Sequence, residues 1–230
     1  MAAECLHPGN TKNAELFHII GSKSTSGHIG HVGLLAASRD LSYNEQIEVF
    51  DSGPPLRIGQ KPNEGDLPAV GGMPANAIGW IEDLTLDESI DLRLWIEDAR
   101  TRIGPDRYGN YRVDPPYQER RDTSTNRIIN ICYSCVGFVI RCYEEGVAIV
   151  LLDTDPAYLP GVSKDLVQEI YENVLDRILH PRARADIGLP GEGPWPIVLA
   201  GYVFHALNRT SGEVRSRPYR VQSVDEAAFD

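Results

Sequence analysis

The sequence predicts an α+β fold, an antiparallel sheet packed on helices. Two observations carry this: apolar runs separated by turn formers between residues 16 and 52, and stretches of helical period further on. The 230 residues can bury one substantial core, so the chain is read as one domain over 1–230, with a core over about 16–152 and a C-terminal elaboration over 153–230.

The first strand is LFHII (16–20), followed by the Gly/Ser loop GSKSTSGHIG. HVGLLAAS (31–38) and EQIEVFDS (45–52) flank SRDLSYN, whose turn formers make them an antiparallel pair, with His31 and Asp51 on neighbouring strands. Residues 53–79 are dense in Gly and Pro and show no period, which suits either a flap over a cleft or a disordered insertion.

Thr85 and Glu88 then form a capping box, and Leu92, Trp95, Ile96, Ala99 and Ile103 make one apolar helical face that Gly104-Pro105 ends. Val136 to Glu145 has helical spacing, Gly146 reads as its stop, and Cys135 falls in the first turn. GVAIVLLD (146–153) reads as a buried strand. A long helix starts at Ser163, with Leu166, Val167, Ile170, Val174, Leu175, Ile178 and Leu179 inward and Pro181 past its end. A hairpin is expected around NRTSGE.

A net charge of -11 argues against a phosphate-binding surface, and the Arg residues of ERRD and HPRARAD have acids close by, so no nucleic-acid partner is expected. The N-terminus lacks a basic start before an apolar run, and the apolar stretches at 146–152 and 196–204 fall short of the ~20 residues that span a bilayer. A cytoplasmic chain without a transmembrane segment is therefore expected. Four cysteines without framework spacing agree with a reducing compartment.

NICYSCVGFVIRC (130–142) holds Cys132, Cys135 and Cys142. A structural zinc site needs four ligands, and CYSC has no second pair; a thioredoxin-like dithiol would put its first cysteine, not its second, at a helix start. No metal or cofactor is expected. GSKSTSG lacks the Gly-Lys-Ser/Thr ending of a phosphate loop. The remaining chemistry is nucleophilic: a thiol at a helix start meets positive potential and an unpaired backbone N–H suited to an oxyanion. Of the six histidines, His28 and His31 stand where a loop enters a strand and could present an imidazole across a cleft.

YSCVGFVIRCYEEG (133–146) resembles the nucleophile helix of NlpC-type papain-like cysteine peptidases, HVGLL (31–35) resembles the strand that carries their histidine, and VFDS (49–52) the strand whose polar residue orients it. The order histidine, polar residue, cysteine is that of the circularly permuted branch, which includes lecithin:retinol acyltransferase-like proteins. RYGNY (107–111) is similar to a Gly-x-x-Tyr element of that branch. Val136 departs from the polar residue usual after the nucleophile, and the chain beyond Asp153 has no counterpart there.

The resemblance implies a papain-like (permuted NlpC-type) sheet packed on the nucleophile helix, with Cys135 as nucleophile, His31 as base and Asp51 as its orienting partner. Glu48 is the alternative to Asp51, since a one-residue strand shift would exchange them. The activity implied is a cysteine hydrolase of an amide or peptide-type bond, with a peptide, isopeptide or acyl substrate. Two alternatives stay open: an acyltransferase or lipid-ester or thioester hydrolase on the same residues, and an inactive binding module. Structural roles also stay open, with Asp51 as a turn former and His31 and Cys135 as buried core residues.

Overall fold

The computed structural model describes residues 3–5, 17–37, 47–52, 56–60, 68–102, 111–171 and 179–228. The fold is α+β with antiparallel sheets. The strands are β1 (Ala3–Cys5), β2 (His18–Lys23), β3 (Ile29–Ala37), β4 (Ile47–Ser52), β5 (Leu56–Gln60), β6 (Ala69–Val70), β7 (Met73–Pro74), β8 (Ala77–Trp80), β9 (Tyr117–Arg121) and β10 (Ile128–Tyr133). The helices are α1 (Leu86–Arg102), α2 (Cys135–Val147), α3 (Lys164–Ile170), α4 (Pro181–Asp186), α5 (Gly201–Leu207) and α6 (Ser211–Ser216), before a 3₁₀ turn at Val224–Ala227.

Six strands form one sheet in the order β1-β8-β2-β3-β4-β5, while β6-β7 and β9-β10 are separate hairpins. The expected antiparallel pairing of β3 with β4 is present, with Gly33 opposite Asp51 and Leu34 opposite Phe50. Strand alternation sorts the side chains into two layers. Ile19, Leu34 and Phe50 join the larger core with α1 and α2. Ile20, Leu35 and Val49 join Val70, Ala75 and Ile78 in a smaller cluster on the opposite face.

Helices α1 and α2 lie close together because small groups face each other. A Cβ on Gly146 would sit 3.2 Å from a Leu92 methyl, and the Cys142 thiol donates to the Leu92 carbonyl at 3.8 Å. Gly146 is therefore not the stop expected of it: α2 runs through it to Val147, and Ala148 takes the left-handed conformation, its N–H donating to the Tyr143 carbonyl. The Thr85–Glu88 capping box of α1 forms as expected, with reciprocal bonds of 2.8 and 3.2 Å, and Leu92, Trp95, Ile96 and Ala99 are buried. Ile103 lies outside the described residues.

Other expectations are corrected. The 53–79 segment is not structureless, since it supplies β5, the β6-β7 hairpin and β8. Residues 148–151 form no strand: Ile149, Leu151 and Leu152 are buried, but the backbone of this stretch bonds to Tyr219, whose N–H donates to Leu151 and whose carbonyl accepts from Asp153. NRTSGE makes no hairpin; Thr210 instead caps α6 through a capping box with Glu213. The helix begun at Ser163 is described as far as Ile170, with Val174, Leu175 and Ile178 outside the described residues, and Leu179 is exposed. Leu179 is helical, and Pro181, two residues past it as expected, opens α4. Among the described residues, no helix is long and apolar enough to cross a membrane.

The C-terminal elaboration is tied to α1 by Arg215, whose guanidinium pairs with Glu88 at 2.7 Å and Asp83 at 3.0 Å. The Arg215 hydrogen bond brings the Glu88 carboxyl from 4.5 down to about 2, with burial acting the other way. The folded value lies below the unfolded one, so this stabilisation is fully present above about 4.5 and is lost as the pH falls toward about 2. Arg215→Gln should thus lower the urea midpoint at neutral pH by the equivalent of about 1 kcal/mol, a partly exposed pair being screened. The gap should close toward about pH 2; a gap independent of pH would contradict the role of this pair.

Candidate active site

Strand β10 feeds directly into α2, and Ser134 makes the junction. Its side chain accepts from the Gly137 N–H at 2.9 Å, its carbonyl accepts from the Phe138 N–H at 2.9 Å, and its own N–H donates to the Pro116 carbonyl at 2.9 Å. Gly137 is required there: a Cβ would lie 1.7 Å from the Pro116 oxygen, so no other residue lets the chain entering β9 cross the first turn. Cys135 becomes the first helical residue. Its N–H and that of Val136 have no acceptor within the helix.

The thiol of Cys135 is fully buried. The β3-β4 ladder reaches Gly33–Asp51, and one residue nearer the start of β3 the Val32 N–H donates to the Cys135 sulfur, as does the Val136 N–H. Burial pushes the thiol up, but the charge and hydrogen bond of His31, reinforced by these two N–H groups, hold it below its ordinary value.

His31 and Asp51 share a face of the sheet, because His31 is two residues from Gly33 and Gly33 pairs with Asp51. Gly33 leaves them room, since a Cβ there would stand 3.1 Å from that of Asp51. His31 Nε2 lies 3.9 Å from Asp51 Oδ2, and both side chains are buried. The structure thus brings together Cys135, His31 and Asp51 from α2, β3 and β4. Glu48, the alternative to Asp51, lies one residue off this alternation and pairs instead with Arg93 of α1 at 2.5 Å, so it does not orient His31. The other candidate base, His28, has its Nδ1 2.9 Å from the Ser26 hydroxyl.

One component of the site was not anticipated from sequence. The β6-β7 hairpin turns at Gly71 and Gly72, both with positive φ as a type I′ turn demands. The Gly71 N–H donates to Asp51 Oδ2 at 2.8 Å, and its Cα lies against the imidazole so closely that a Cβ would be 2.8 Å from His31 Cγ. The hairpin therefore fixes the carboxylate and covers the ring. Val-Gly-Gly-Met, two glycines between apolar residues, was the available signal.

Cys132 and Cys142 are also buried. Cys142 lies on the inward face of α2, and burial pushes its thiol well above the ordinary value. RYGNY is described at Tyr111 alone, which is buried and bridges to Tyr133. Among the described residues, no three His, Cys, Asp or Glu side chains gather as a metal ion would require. Compared with family models, curated proteins and solved structures, the chain matches none.

Gly71→Ala tests the hairpin's part. The left-handed backbone costs an alanine roughly 1 kcal/mol, and its methyl displaces the His31 ring. The expected result is a modest fall in melting temperature with an approximately tenfold slower alkylation of Cys135 by iodoacetamide at neutral pH. Unchanged alkylation would show that the turn does not position the imidazole.

Proposed function

We propose that this protein is a cysteine hydrolase of amide or peptide-type bonds, working through Cys135, His31 and Asp51 on a papain-like sheet of the circularly permuted NlpC type. The observation that carries the reading is the convergence at one helix start of a thiol held below its ordinary value, an imidazole hydrogen-bonded to it and a buried carboxylate beside that imidazole. Three sequence-distant elements supply these groups.

In the proposed reaction His31 takes the thiol proton, and the sulfur attacks the carbonyl carbon. The S–C bond forms as the carbonyl π pair moves to oxygen, where the backbone N–H of Cys135 receives it. Collapse breaks the C–N bond, and the imidazolium returns its proton to the departing amine. His31 then takes a proton from water, which attacks the thioester and releases the acid and the Cys135 thiol. Asp51, held by Gly71, stabilises the imidazolium and orients its ring.

An activated ester reports the covalent step without knowledge of the natural substrate. Mass spectrometry after exposure to 4-nitrophenyl acetate should show one acetyl group on Cys135, absent from Cys135→Ala, with acylation slowed about 100-fold in His31→Ala. Acetylation spread over Cys132 and Cys142, or undiminished in His31→Ala, would refute the reading.

A further inference from the structure

Two exposed apolar patches edged by opposite charges lie outside the candidate active site. The first is on α1, where Leu86, Ile90 and Leu94 are 65%, 45% and 50% exposed. Their i, i+4 spacing puts them on one side of the helix. Asp87 and Asp91, three residues before Ile90 and Leu94, edge this stripe; both are exposed, and neither has an ion pair among the described residues. The inward side of the same helix is already buried in the core through Leu92, Trp95, Ile96 and Ala99. A helix that is apolar outward as well as inward has a second surface to cover.

The second patch is the end of the β9-β10 hairpin. A register shift between Ile128 and Asn130 leaves Ile129 without a partner on β9, and its side chain is 62% exposed beside Ile128 at 38%. Arg127 precedes Ile128 in the chain, and Arg120 pairs with Asn130 across the ladder, so a cation stands on either side. Both are exposed and without an ion pair among the described residues, whereas Arg121 is held by Glu119 and the Asn126 carbonyl. Asp122 stiffens this end, one of its carboxylate oxygens accepting from the Ser124 N–H at 2.9 Å and the Thr125 N–H at 2.7 Å. A surface already ordered loses little freedom on docking.

We propose that these patches are the two halves of one interface, through which a second copy of this chain docks its β9-β10 end on α1. Ile128 and Ile129 pack along Leu86, Ile90 and Leu94, while Arg120 and Arg127 meet Asp87 and Asp91. Both patches are exposed, so neither covers the other within one chain. A separate partner would account for one of them; a second copy accounts for both. The net charge of -11 does not forbid the contact, because exposed charges are screened beyond about 8 Å at physiological ionic strength and pairs in contact are not. The apolar area offered is small beside the roughly 800 Å² per partner of a stable interface, so the contact is weak and forms at high concentration.

Sedimentation velocity should show a monomer at about 10 μM and associated species at about 1 mM. Ile129→Glu should weaken this association about tenfold. The double variants Asp87→Arg with Asp91→Arg, and Arg120→Glu with Arg127→Glu, should each remain monomeric at the higher concentration. An equimolar mixture of the two should associate, since each then offers the other a complementary patch, and a variant that had merely misfolded would not. A wild-type chain that stays monomeric at the higher concentration would overturn the proposal, as would association undiminished in Ile129→Glu or a mixture that stays monomeric.

Discussion

Pro116 and Gly137 meet backbone to backbone at the start of α2, and the position of the thiol follows from that contact. With the Pro116 carbonyl also accepting from Ser134, the first turn of the helix is pinned to the chain entering β9. Ser134 then takes up the Gly137 and Phe138 N–H groups, while the Val136 N–H turns to the sulfur. Any side chain at 137 would push the helix start away, and the sulfur would lose the Val32 and His31 contacts together.

Two thiols on the same helix show what those contacts do. Cys135 and Cys142 are both fully buried, and burial alone raises a thiol by disfavouring its charged form. Cys142 meets a carbonyl and the field of Glu145, and is pushed well up; Cys135 meets an imidazole and two backbone donors, and is brought down. The difference lies in the first turn of the helix and the adjoining strand, not in burial. Glycines make that meeting possible on the sheet side as well: Gly33 gives Asp51 room, Gly30 admits the end of α3, and Gly71 lies flat on the imidazole.

Much of this was legible in the sequence because it depends on local pattern. Apolar runs around turn formers placed β3 and β4, the Thr85–Glu88 box started α1, and the helical spacing of Val136 to Glu145 put Cys135 in a first turn. What escaped depends on distant contacts. Gly146 looked like a helix stop because glycine commonly ends helices, but here it admits Leu92 of α1. GVAIVLL has the composition of a buried strand, yet its backbone bonds to Tyr219, some seventy residues on. Choosing between Asp51 and Glu48 required the β3-β4 register and the position of Arg93.

The central claim is that His31 and the backbone donors hold the Cys135 thiol below its ordinary value despite its burial. It is tested most directly by titrating the thiolate absorbance of the protein against that of Cys135→Ala, so that the difference isolates this sulfur from Cys132 and Cys142. The account predicts a midpoint below that of an ordinary thiol, moving upward when the same difference is taken in a His31→Ala background. A midpoint at or above the ordinary thiol value, or one indifferent to His31, would contradict it.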